Sequence, residues 1–175
     1  ILGLIITMIA CKKDNDTPAE TFGDFHFELE HKFGAADFAL GTPFINAAGE
    51  SLTFATAKYY ISNIVLHKAD GTEWSPAESY FLVDISNPAS TILTIEDAPT
   101  GDYSELEFTI GVDSARNVSG AQDGALSIAN NMFWSWNSGY IFIKMEGSSP
   151  QAAGNAFTFH IGGFIDSISK IYTNK

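Results

Sequence analysis

The side chains that could build a site gather in one stretch. Met132, Trp134, Trp136 and Tyr140 lie close together in an approach rich in Asn, Gly and Ser, and His160 follows on the segment FTFHIGG. Large aromatics in such a loop are costly to leave wet, so they must cover a core or build a site. The histidines separate by strand parity. His31 shares parity with Phe25, Phe27 and Leu29 and is expected to point inward, whereas His26 alternates with them and should be solvated. His160 has Thr158 and Gly162 as same-face neighbours, and His67, at a strand end before a turn, is expected to be exposed. Asp113 and Asp123, with the amides and carbonyls around Asn117 and Gly120, offer oxygens for a calcium loop, although their spacing is not that of an EF-hand. Ser114 and Ser119 lack a GxSxG elbow or a triad order, and the glycines at 120 and 124 do not open a helix after a strand, so neither a hydrolase nor a phosphate loop is expected.

The elements that must position these residues read as strands. Phe25, Phe27 and Leu29 alternate with His26, Glu28 and Glu30 as a half-buried strand, and residues 54–67 form a long strand apolar on both sides. Residues 80–85, 92–95, 106–110, 140–145 and 157–161 follow as further strands. Ala69-Asp70-Gly71-Thr72, Asn87-Pro88 and Pro99-Thr100-Gly101-Asp102 separate them with turn chemistry. No helical stripe longer than two turns stands out. The expected fold is mainly β, an antiparallel β-sandwich or irregular barrel with long functional loops. The longest of these, Val112 to about Ser138, is unusual in a compact domain and is where a site is expected.

The N-terminal ILGLIITMIAC is uncharged and apolar, too short to cross a bilayer as a mature helix but matching the h-region of a secretion signal. Apolar, small, then Cys is the pattern of a bacterial lipoprotein box, which makes Cys11 the expected site of lipidation. KKDNDTPAE after it is polar and lacks periodicity, as a tether does. The expected organisation is therefore residues 1–10 as the end of a signal peptide, 11–22 as lipidated cysteine and tether, and 23–175 as one β domain. An outer-membrane lipoprotein follows, facing the periplasm or the cell surface and joined to the membrane through its lipid. Acidic residues are spread along a chain of net charge −12 with no basic cluster, which argues against nucleic acid as a partner.

The stretch GVDSARNVSGAQDGALSIANNMFWSWNSGYIFIKMEG with FTFHIGG, together with KYYISNIVLHKADGT, YFLVDIS and TGDYSELEFTIGVDSARN, resembles the MbnP-like family. Its members are periplasmic or surface proteins associated with copper and with methanobactin gene clusters, and the resemblance spans roughly residues 24 to 165. It implies Cu(I) held between histidines and a kynurenine made from tryptophan by a di-haem partner of the MauG and cytochrome c peroxidase kind. Trp134 matches the modified position. Two residues on, where related copper proteins carry a ligand histidine, this chain has Trp136. With copper implied, soft-donor chemistry favours His160 as an imidazole ligand, His31 as a second by its inward parity, and Met132 or Met145 as a thioether. A rival expectation is a surface adhesion or glycan-binding module in which Trp134, Trp136 and Tyr140 form an aromatic platform. A third is a structural partner in an envelope complex.

Overall fold

The computed structural model describes residues 20–120, 122–135, 137–164 and 172–174; Cys11 and Trp136 lie outside them. The strands are β1 (Phe22–Glu28), β2 (Lys32–Phe33), β3 (Ala36–Asp37), β4 (Pro43–Ile45), β5 (Ser51–Lys68), β6 (Glu73–Trp74) and β7 (Tyr80–Asp84). They continue as β8 (Ile92–Pro99), β9 (Tyr103–Ile110), β10 (Phe133–Ser135), β11 (Gly139–Tyr140), β12 (Ile143–Ser148), β13 (Ala156–Ile161) and β14 (Tyr172–Asn174), with a single-turn helix α1 (Ser114–Asn117). The mainly β, antiparallel architecture expected from the alternation is present.

β5 organises the molecule. The main sheet runs β13-β12-β5-β9-β14, and β4, β6 and β7 also pair with β5. Its 18 residues are apolar on both sides because both sides are covered. Tyr59 and Ile61 face the ribbon formed by β1 and β8, where they join Ile64, Leu66, Val83, Leu93 and Ile95 in one core; Tyr60 faces the opposite way, into a second core with Val112, Leu126, Met132, Tyr140 and Phe142.

Strict alternation would send Ile61 and Ile64 to different faces. A bulge between Ser62 and Val65 prevents this, with Asn63 in the left-handed region at φ 52°. Asparagine tolerates that conformation, and the extra residue resets the phase so that Ile64 and Leu66 return to the first core.

The segment from Val112 to Ser138 covers the second core. Asp113 starts α1 as its N-cap, its side chain accepting from Arg116 N. Asn117 is fully buried, donating from Nδ2 to Val112 O (2.7 Å) and Asp113 O (2.9 Å) and accepting at Oδ1 from Tyr140 N (2.8 Å). One amide thereby fastens the irregular segment to the hairpin of β10 and β11.

Candidate functional site

Three strands set the site. His160 on β13 is directly opposite Lys144 on β12, which is directly opposite Lys58 on β5. Directly opposed residues share a face, so this row projects toward the side covered by the β10–β11 hairpin. Glu146, two residues beyond Lys144, brings Oε1 to 2.7 Å from His160 Nε2 and 3.5 Å from Lys144 Nζ, and Lys144 also donates to Asn131 O at 3.2 Å. Burial works to raise the Glu146 carboxyl's pKa, but the hydrogen bond from His160 and the Lys144 charge outweigh it and hold it below its ordinary value.

Trp134 completes the arrangement. Its ring centroid lies 6.4 Å from that of His160, tilted by 45°, and the residue is 42% exposed. The benzo edge rests on Gly162: a Cβ there would come within 2.8 Å of Trp134 Cζ3 and 2.5 Å of Tyr140 O. Glycine at this position lets the indole lie against the backbone beside the imidazole. With Glu146 on Nε2, His160 is oriented as a carboxylate-backed imidazole is in metal sites, leaving Nδ1 for a ligand. The sequence singles out His160 and Trp134, which the structure brings together, but not Glu146 and Lys144 beside them. The signal was available in the pairing of two adjacent strands, not in either strand by itself.

His31 does not join them. Its Nε2 lies 2.7 Å from the hydroxyl of Tyr59, which neighbours Lys58 on β5 and projects from the other face. The sheet thus separates His31 from His160, and the expectation that both imidazoles hold one ion is corrected. The inward parity was right for β1's extension, but the core it points toward is the one under the β1–β8 ribbon. Met145 shares that face, lining with His31, Phe33, Phe38, Phe54 and Tyr59 a cavity of about 430 Å³. Burial lowers the His31 pKa and pushes the Tyr59 phenol up to about 12, which in both cases favours the neutral form. Met132 is fully buried in the second core with Tyr60, Leu126 and Phe142, where it fills space among apolar neighbours.

The calcium-loop expectation meets a different obstacle. Asp113 Oδ1 accepts from Arg116 N at 3.1 Å, while Oδ2 accepts from Asn63 Nδ2 at 3.2 Å and from the Tyr80 hydroxyl. Burial opposes ionisation, yet these donors hold the carboxyl below its ordinary pKa. Asp123 is exposed on the rim of a separate cleft beside Glu78 and Arg116. Among the described residues, neither aspartate belongs to a group of three ligating side chains. The three-ring platform is corrected as well, because Tyr140 is 1% exposed, edge-on to Tyr60 and Phe133, with its hydroxyl donating to Leu126 O at 2.6 Å. His67, expected in solvent, has a side chain only 15% exposed, held between strands that both carry glutamates.

The family model described as MbnP matches residues 22–175. Among solved structures the chain is similar to MbnP from Methylosinus trichosporium, with 17% identity, a TM-score of 0.63, and coverage of 87% of this chain and 68% of that one. At that identity the likeness speaks for the fold. No curated protein matches the chain in sequence.

Proposed function

The chain belongs to the MbnP family, and from that premise we propose an extracytoplasmic, lipid-anchored, non-enzymatic copper-binding protein whose centre is built at Trp134 and His160. The observation that carries this is the contact of a part-exposed indole with a carboxylate-backed imidazole. The donor set fits Cu(I) in low coordination. His160 supplies one nitrogen, and Trp134, once opened to kynurenine, supplies an aromatic amine in place of an indole nitrogen that is a poor ligand. Copper bound there would be a soft, low-coordinate ion carried rather than a reaction centre.

The chain's own residues divide the work. Glu146 accepts the hydrogen bond from His160 Nε2 and fixes the ring, and the Lys144 charge helps to keep Glu146 ionised. Gly162 leaves room for the indole, whose exposed side gives a di-haem partner of the MauG or cytochrome c peroxidase kind a surface from which to withdraw electrons. In this reading oxidation makes the second ligand, so unprocessed protein binds Cu(I) more weakly than processed protein. Co-expression with such a partner followed by peptide mapping tests it. A mass gain on the Trp134 peptide together with tighter Cu(I) binding supports the reading, and an unmodified peptide under conditions where the partner is active removes the kynurenine step.

A further inference from the structure

At the far end of β5, a second group of ligating side chains lies outside the copper reading. We propose that His67, Glu105 and Glu107 form a binding site for a divalent transition metal ion of the zinc or manganese kind. Position along β5 sets it apart: His67 lies nine residues beyond Lys58, which at a strand's rise of about 3.3 Å per residue is roughly 30 Å from the His160 row.

Strand register builds the group. His67 is directly opposite Glu105 on β9, and Glu107 is opposite Val65, so both carboxylates project from the imidazole's face. One ligand atom from each of the three falls within 4.8 Å of the others. On the other flank, β6 places Glu73 opposite His67, with Oε1 3.1 Å from Nδ1.

The imidazole's two nitrogens are treated differently. Nδ1 has its carboxylate. Nε2 is buried, makes no hydrogen bond, and has Glu107 Oε2 at 3.5 Å. A buried ring nitrogen that makes no hydrogen bond is unfavourable. A bound cation would give it a partner. Glu73 on the distal nitrogen is the carboxylate–imidazole arrangement that fixes a metal-ligating histidine, leaving Nε2 for the ion. Metal bonds of about 2.0–2.2 Å require the donors to draw somewhat closer, and exposed Glu105 has freedom to swing in. Two carboxylates and one imidazole suit borderline and hard divalent ions, and do not suit Cu(I).

Chelator-treated full chain, dialysed separately against Zn²⁺ and Mn²⁺, gives the test. Wild type should hold a saturable equivalent of at least one of these ions that the Glu105→Gln/Glu107→Gln double variant binds more than about tenfold more weakly, and Glu73→Gln should weaken it by roughly tenfold or more. Nitrogen NMR of the wild-type imidazole supplies a readout that needs no variant to fold: the His67 Nε2 resonance should move to a metal-bound position on saturation with Zn²⁺, or broaden away with paramagnetic Mn²⁺. Equal stoichiometry and affinity in wild type and double variant, or a His67 resonance that does not respond to either ion, overturns the site. Cu(I) affinity measured on the same samples should be unchanged by the double variant, so failure here is separable from failure of the copper reading.

Discussion

Asn117→Ala tests whether one buried amide holds the site's hairpin. The substitution removes two donated bonds and one accepted bond, of 2.7, 2.9 and 2.8 Å. Asp113 O keeps a partner in Asn117's own backbone N–H, at 3.1 Å. Tyr140 N–H and Val112 O lose the side-chain partner inside the protein, and each orphaned buried group costs about 1–3 kcal/mol. The expected loss is therefore about 3–4 kcal/mol, on the order of 10 °C in melting temperature for a domain of this size. Urea unfolding with an unchanged m-value is the assay. Because Tyr140 on β11 pairs with Phe133 on β10, the same variant should loosen Trp134, read as a broadened indole N–H signal. Asn117→Asp provides the second arm. Its carboxylate would face two carbonyl oxygens, so its folded-state pKa is raised and its stability should recover as pH falls through that value, when the acid can donate again. A loss below about 1 kcal/mol for Asn117→Ala would refute the reasoning.

Gly162→Ala should cost about 1–3 kcal/mol by overpacking and displace the Trp134 indole, since the added carbon meets both the ring and Tyr140 O; an unshifted indole resonance would mean the ring is not seated there. Asp113 has a folded pKa held below its ordinary 3.8, so its contribution is fully present above that pH and is lost as pH falls through the lower folded value. Wild type should accordingly exceed Asp113→Asn in stability at neutral pH, and acid titration should show the gap closing below pH 3.8. Cys11→Ser should move the protein from the membrane to the soluble fraction of its native host, and a variant still pelleting with membranes would remove the lipid anchor.

Much of the fold was legible because alternation and turn chemistry are local. Phe25, Phe27 and Leu29 announced β1, the two-sided apolar run announced β5, and proline and glycine marked the breaks between β7, β8 and β9. The faces were harder. Parity says that His31 and His160 each leave their strands on a particular side, but only the register of β13 with β12 and of β12 with β5 shows that the sheet lies between them. The Asn63 bulge, which inverts parity within one strand, has no local sequence signal beyond an asparagine's tolerance of positive φ. His67 was misjudged for a related reason: a strand end looks solvated until β6 and β9 are known to flank it. Only the rival platform reading puts Tyr140 at the surface beside Trp134 and Trp136, because an Asn- and Gly-rich approach looks exposed. Its hydroxyl instead finds Leu126 O within the covering segment, which lets a polar aromatic be buried.

In the proposed function His160 and an oxidised Trp134 hold copper, and competition titration against a Cu(I) chelator tests this. Protein processed by a di-haem partner should bind more tightly than unprocessed protein, and His160→Ala should weaken the processed form by more than about tenfold through loss of a direct ligand. His26→Ala is the control. That imidazole is exposed on β1 and bonded to Thr94 at 2.9 Å, so its loss should leave affinity unchanged. Equal Cu(I) affinities for the processed wild type, His160→Ala and His26→Ala would contradict the account and leave His160 as a structural partner of Glu146.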